Sequence, residues 1–166
     1  MNNTSTTINN PQESPLVKET KSLRQFALKT LARREHSYWE LQQKLLTKSE
    51  NKNAIITVLE KLKNEKLLDD ARFAESYVRM RSNRGYGPVR IQNELHHRGV
   101  AKIIADEIIE NMKNEWSTLI ISVRKKRFGT TIPKDFSMRT RQMRFLEYRG
   151  FTHDQINAVF DRCKIA

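Results

Sequence analysis

LLDDARFAESYVRMRSNRGYGPVRIQNELHHRG, residues 67–99, spells two short basic helices joined by a heavily punctuated turn. Asp69 or Asp70 is placed to cap the first helix, whose apolar positions Phe73, Ala74, Tyr77 and Met80, with the stem of Arg81, recur at helical spacing. Arg72, Ser76, Arg79 and Asn83 then share the opposite, wet face. Gly85, Tyr86 and Gly87 break the helix, since glycine reaches backbone conformations closed to other residues. Pro88 presets φ at the start of a second helix that buries Ile91 and Leu95, exposes Arg90 and ends at Gly99 in a left-handed cap. A surface of this kind suits polyanions.

The same order of helices recurs on either side. Leu45–Ser49, Leu95–Gly99 and Leu146–Gly150 align as the ends of equivalent helices, spaced by 50 and 51 residues, and Arg98-Gly99-Val100 is echoed by Arg149-Gly150-Phe151. A period near fifty signals tandem modules. In the first, Leu23, Phe26, Ala27 and Leu31 mark one helix, Leu41 and Leu45 a second opened by a Ser37/Glu40 capping box, and Ile55, Val58, Leu59 and Leu62 a third. Ile104, Ile108 and Ile109 supply the third helix of the middle unit; Ile156, Val159 and Phe160, behind a Thr152/Gln155 box, supply that of the last. The expected fold is therefore all-α, with three three-helix repeats at 21–68, 69–113 and 114–166 behind a disordered polar tail, 1–20. Such small units hide their apolar faces poorly alone, so they should stack into an elongated, curved array.

Lysine and arginine number 31 against 19 acidic residues among 166, a net charge of +12, while only 37% of the chain is hydrophobic. That balance implies attraction to nucleic acid, anionic lipid or an acidic protein surface. Residues 116–149 hold nine basic and two acidic residues, a net +7. Cys163 is the single cysteine, no apolar run is long enough to span a bilayer, and Met1–Asn10 lacks the features of a signal peptide. A monomeric cytoplasmic protein without membrane contact is expected.

Little suggests catalysis. Asp69 and Asp70 could hold a metal, but adjacent aspartates before an apolar-periodic helix usually form its N-terminal cap. His96 and His97 point apart on one helix, and His36 and His153 have no cysteine or carboxylate at ligand spacing. Gly85 and Gly87 lack the Lys-Ser/Thr pair and preceding strand of a phosphate cradle. No metal, cofactor or catalytic residue is expected. Trp39, Trp116, Phe128 and Phe145 read as core or inter-module packing, whereas Tyr86 and Tyr148, beside arginines, are better placed to stack on bases.

LLDDARF (67–73), RGYGPVRIQNEL (84–95) and HRGV (97–100), with RFG (127–129), RFLEYRGF (144–151) and ARREHSYWELQQKLL (32–46), resemble the RecX family, bacterial regulators of the RecA recombinase. The likeness runs from about Lys21 to Cys163 and departs at Lys48-Ser49-Glu50, where no glycine closes the helix. It implies three tandem three-helix repeats that bind in the groove of the RecA–DNA filament and limit filament growth, ATP hydrolysis and strand exchange. The contact cations would be Arg72, Arg79, Arg84, Arg90, Arg98, Arg124, Lys125, Lys126, Arg127, Arg141 and Arg144, meeting protein and DNA phosphates without base specificity. Asp69, Asp70, Gly85, Gly87, Pro88, Gly99 and Gly150 would set the turns that orient them. The alternative is a stand-alone double-stranded DNA-binding protein of helix-turn-helix type.

Overall fold

A computed structural model describes residues 14–161. Every regular element among them is a helix: α1 (Pro15–Leu31), α2 (Tyr38–Leu46), α3 (Lys52–Asn64), α4 (Asp70–Asn83), α5 (Pro88–His96), α6 (Lys102–Asn111), α7 (Lys113–Phe128), α8 (Phe136–Arg149) and α9 (His153–Asp161). Side chains of Ser14, Ser37, Asn51, Asp69 and Asp135 accept N–H bonds from the helices they precede, which relieves the unpaired donors of a first turn. At α9 the capping box is complete: Thr152 N–H donates to Gln155 Oε1 at 3.0 Å and Gln155 N–H to Thr152 Oγ1 at 3.2 Å. At α2 it is half made. Glu40 N–H donates to Ser37 Oγ at 3.1 Å, but the Glu40 carboxylate turns instead to Arg34 and Arg98.

The helices close in threes around separate cores. Leu23, Ala27, Leu41, Leu45, Ile55 and Leu59 fill the first, Phe73, Ala74, Val78, Ile91 and Leu95 the second, and Ile120, Leu146, Ile156 and Phe160 the third. Trp116 crosses a seam: it stands on α7 yet packs in the second core, its indole N–H donating to the Ile109 carbonyl at 2.9 Å. Cores of this size leave much of the cohesion to the junctions between units.

Two expectations are overturned. Residues 15–20 are not tail: Pro15 occupies the first turn of α1, where its missing N–H is harmless, and Glu19 accepts bonds from Ser49 Oγ and Asn51 Nδ2. Residues 1–13 and Cys163 lie outside the described residues. Met80, expected on the apolar face of α4, is 39% exposed, and Val78 is buried beside Tyr77 instead. The buried stripe of α4 runs Phe73/Ala74, Tyr77/Val78, Ser82, and Met80 falls between its turns.

His36, 3% exposed before α2, has Nδ1 3.0 Å from the Arg34 carbonyl. Burial pushes its pKa below the ordinary 6.5, and the charges of Arg34 and Lys44 push the same way, against that hydrogen bond and the Glu40 carboxylate. The unfolded chain then takes up the proton first as pH falls. Its contribution to stability is complete above about 6.5 and is lost below it, toward the folded-state value. Melting between about pH 7.5 and 5.5 should show this loss, and His36→Gln should reduce the slope across that window. An unchanged slope in the variant refutes the assignment.

Candidate polyanion-binding face

Neighbouring units meet end to end, twice and at matched positions. At the first junction Ser37 Oγ, at the start of α2, donates to the Arg98 carbonyl beyond α5 at 2.6 Å. The Arg98 guanidinium pairs with Glu40 and lies 4.8 Å from the centre of the Tyr77 ring. At the second, Gly87 N–H donates to the Arg149 carbonyl at 2.8 Å and Val89 N–H to the Gly150 carbonyl at 3.0 Å. Amides left over at the N-terminus of α5 thus receive carbonyls left over at the C-terminus of α8, the positive end of one helix dipole meeting the negative end of the next.

Glycine makes the approach possible. A Cβ on Gly87 would stand 2.4 Å from the Gly150 carbonyl oxygen, one on Gly150 2.3 Å from Arg90 Cβ, and one on Gly99 2.5 Å from Trp39 Cβ. Gly87 has φ −89°, open to any residue, so space rather than backbone freedom demands glycine there. Gly85 supplies the left-handed turn, with φ 78°. Ser49 occupies the matching place in the first unit without the positive φ of Gly99 and Gly150, and its hydroxyl donates to Glu19, so a side chain is accommodated there.

Asp69 accepts from Ala71 N–H at 2.8 Å and Arg72 N–H at 3.1 Å, whereas Asp70 accepts from Tyr38 N–H of the first unit at 2.7 Å. Both carboxylates therefore cap helices, Asp70 across a junction. Among the described residues no three His, Cys, Asp or Glu side chains are grouped to hold a metal ion, and no helix is long and apolar enough to cross a membrane.

The expected contact cations divide. Arg72 bridges the first junction, its Nε 2.6 Å from Glu35 Oε1 and its Nη atoms donating to the carbonyls of Lys66 and Leu67 at 3.0 and 3.1 Å. Arg98 is engaged there too. Arg90 Nε lies 3.1 Å from Glu94 Oε1, and its guanidinium stands 4.4 Å from the Tyr86 ring centre and 5.5 Å from that of Tyr148. Arg124 corrects the reading of residues 124–127 as one exposed run. It is 2% exposed, its Nε donating to Gln142 Oε1 at 2.9 Å and its Nη atoms to the carbonyls of Gly129, Thr130 and Thr131. It faces inward because it follows Trp116 and Ile120 on the buried side of α7 at fourfold spacing. Arg79, Arg84, Lys125, Lys126, Arg127, Arg141 and Arg144 are exposed.

Tyr86 is enclosed rather than open. Guanidinium groups of Arg81 and Arg149 stand 3.9 and 5.2 Å from its ring centre, in addition to Arg90. Glu94 anchors this cluster: although burial opposes its ionisation, bonds from Arg81, Arg90 and Tyr77 hold its carboxyl below the usual pKa. Arg81, Arg149 and Glu94 were not among the expected site residues. Arg149 is marked in the sequence by its echo of Arg98, the carbonyls of both serving a junction, and Glu94 by its i, i+4 spacing from Arg90. Trp39, 45% exposed, presses on Gly99 as inter-module packing, and Phe128 meets Phe145 edge to face, ring centres 5.2 Å apart.

Models described as the second and third three-helix domains of RecX match residues 69–109 and 117–160. The chain is 46% identical over 140 residues to a regulatory protein RecX of Halorhodospira halophila, covering 84% of this chain and 87% of that one. It is 40% identical over 138 residues to a counterpart in Pseudomonas putida, with 83% and 88% covered. The crystal structure of RecX from Lactobacillus salivarius shares the fold at TM-score 0.79 and 20% identity, over 90% of this chain and 99% of that one. A second structure titled regulatory protein RecX gives 0.75, also at 20% identity, over 88% and 73%.

Proposed function

Because the chain belongs to the RecX family of regulatory proteins, we propose that it acts in the cytoplasm on the RecA recombinase. It docks in the groove of the RecA–DNA filament and limits filament extension, ATP hydrolysis and strand exchange. The carrying observation is the pair of matched junctions, which hold exposed cations of successive units at set separations, as a partner with its own repeat requires. Contacts of these cations with phosphates carry little sequence information, and their strength falls steeply with salt.

The helix-turn-helix alternative fares worse for a geometric reason. A recognition helix presents its N-terminal residues to base edges. The N-terminus of α5 is covered by the end of α8, and Arg90 on its first turn is held by Glu94.

Arg141→Glu with Arg144→Glu tests the face. Both residues are exposed on α8, so helicity and melting temperature should hold. Inhibition of ATP hydrolysis and strand exchange by preformed RecA filaments should weaken about tenfold or more at near-physiological salt. Equal inhibition by the variant refutes this face. If the native chain leaves filaments unaffected but binds one duplex sequence tightly, the regulator reading fails.

A further inference from the structure

We infer that Tyr148 is a stacking residue for an unpaired nucleobase, on a strand whose phosphates lie along Arg144 and Arg141; this rests on the nucleic-acid side of the function proposed above. Tyr148 is 74% exposed and belongs to none of the three cores. An aromatic ring left in water gains by covering a base, and does so whatever the base, since every base has a π-face. The ring is backed rather than loose: the Arg90 guanidinium stands 5.5 Å from its centre, and Arg90 Nη1 donates to the Tyr148 carbonyl at 3.4 Å.

Space and charge are arranged around it. A shallow cleft of about 420 Å³ between α5 and α8 is lined by Val89, Asn93, His97, Glu147 and Tyr148 among others. Exposed Asn93 and His97 offer donors and acceptors to the edge of a base seated there. Two carboxylates also line the cleft: Glu94 is paired with Arg81 and Arg90, and Glu147 has His153 Nε2 3.7 Å away. Arg144 and Arg141 precede Tyr148 on the same exposed face of α8, about 6 and about 10 Å back along the axis. Tyr86, the other candidate, has its ring taken by three guanidinium groups. Bases within a duplex are stacked on each other and show no free face, so the ligand is a single strand.

The test measures binding of the full chain to labelled oligo(dT), to an abasic strand of the same length, and to a blunt duplex. Tyr148→Ala should lose about tenfold or more on oligo(dT), keep its affinity for the other two, and leave the salt slope unchanged; Tyr148→Trp should restore binding. Arg144→Gln should lower the slope on all three by about one. Native affinity of Tyr148→Ala for oligo(dT), an equal loss on the abasic strand, or no binding of oligo(dT) by the native chain overturns the assignment. So does loss of RecA inhibition in Tyr148→Ala with strand binding intact, which would place a protein against the ring. Base-dependent strand binding by a native chain that leaves RecA filaments unaffected would instead sink the regulator reading and keep the stacking role.

Discussion

Gly150→Val is expected to destabilise the protein by about 3 kcal/mol or more and to part the second and third units. Gly150 closes α8 at φ 90°, where a β-branched residue is strained. Any side chain there would also enter the space of Arg90, whose backbone nitrogen lies 2.6 Å from the Cβ position. Gly129 separates the two effects. With φ 81° and ψ −174° it sits in a region essentially reserved for glycine, but no atom lies within 4 Å of its Cβ position, so Gly129→Val carries backbone strain alone, about 1 to 3 kcal/mol. Urea midpoints should fall in both variants. Amide exchange should quicken at Gly87 and Val89, whose N–H groups donate to the Arg149 and Gly150 carbonyls, in the first variant only. Inhibition of the RecA filament should fall with it, because Arg141 and Arg144 on α8 lose their fixed relation to the other units. Native exchange rates at the Gly87 and Val89 amides in Gly150→Val would refute the junction's role.

Arg124→Met should lower stability by about 2 to 4 kcal/mol while leaving the affinity of the folded protein for DNA nearly unchanged. The buried guanidinium serves Gln142 and three successive carbonyls, of Gly129, Thr130 and Thr131, so it ties the α7–α8 loop to both helices. Methionine fills a similar volume but leaves those acceptors without their donor. Lysine keeps the charge but cannot present the planar fork, and Arg124→Lys should recover only part of the loss. The exposed neighbour gives the opposite pattern: Lys125→Gln should keep the melting temperature and weaken DNA binding. If Arg124→Met melted like the native chain and bound DNA poorly, Arg124 would belong to the contact face after all.

These contrasts mark where sequence reading stops. Residues 124–127 are four cations in a row, and nothing within the run separates Arg124 from Lys125. The difference lies outside the run, in the spacing from Trp116 and Ile120 that turns Arg124 inward and in Gln142, 18 residues away on α8, which receives it. Asp69 and Asp70 read as alternative caps of one helix; the structure assigns Asp69 to α4 and Asp70 to α2, 32 residues back. Gly87 was legible as a required glycine, but for the wrong reason, since the close approach of Gly150 cannot be seen in a turn motif. Pro15–Thr20 read as tail because its composition is polar, and it folds as helix because Glu19 finds Ser49 and Asn51.

By itself the sequence determined the helices, their grouping in threes and the family. Periodicity, caps and a repeat of about fifty residues are written within short windows or between copies of one window. Tertiary structure alone decided which cations meet solvent and which are spent on junctions. Arg98 reaches Glu40 over 58 residues and Arg149 reaches the Arg84 carbonyl over 65, and burial follows from such distant partners rather than from the identity of the residue.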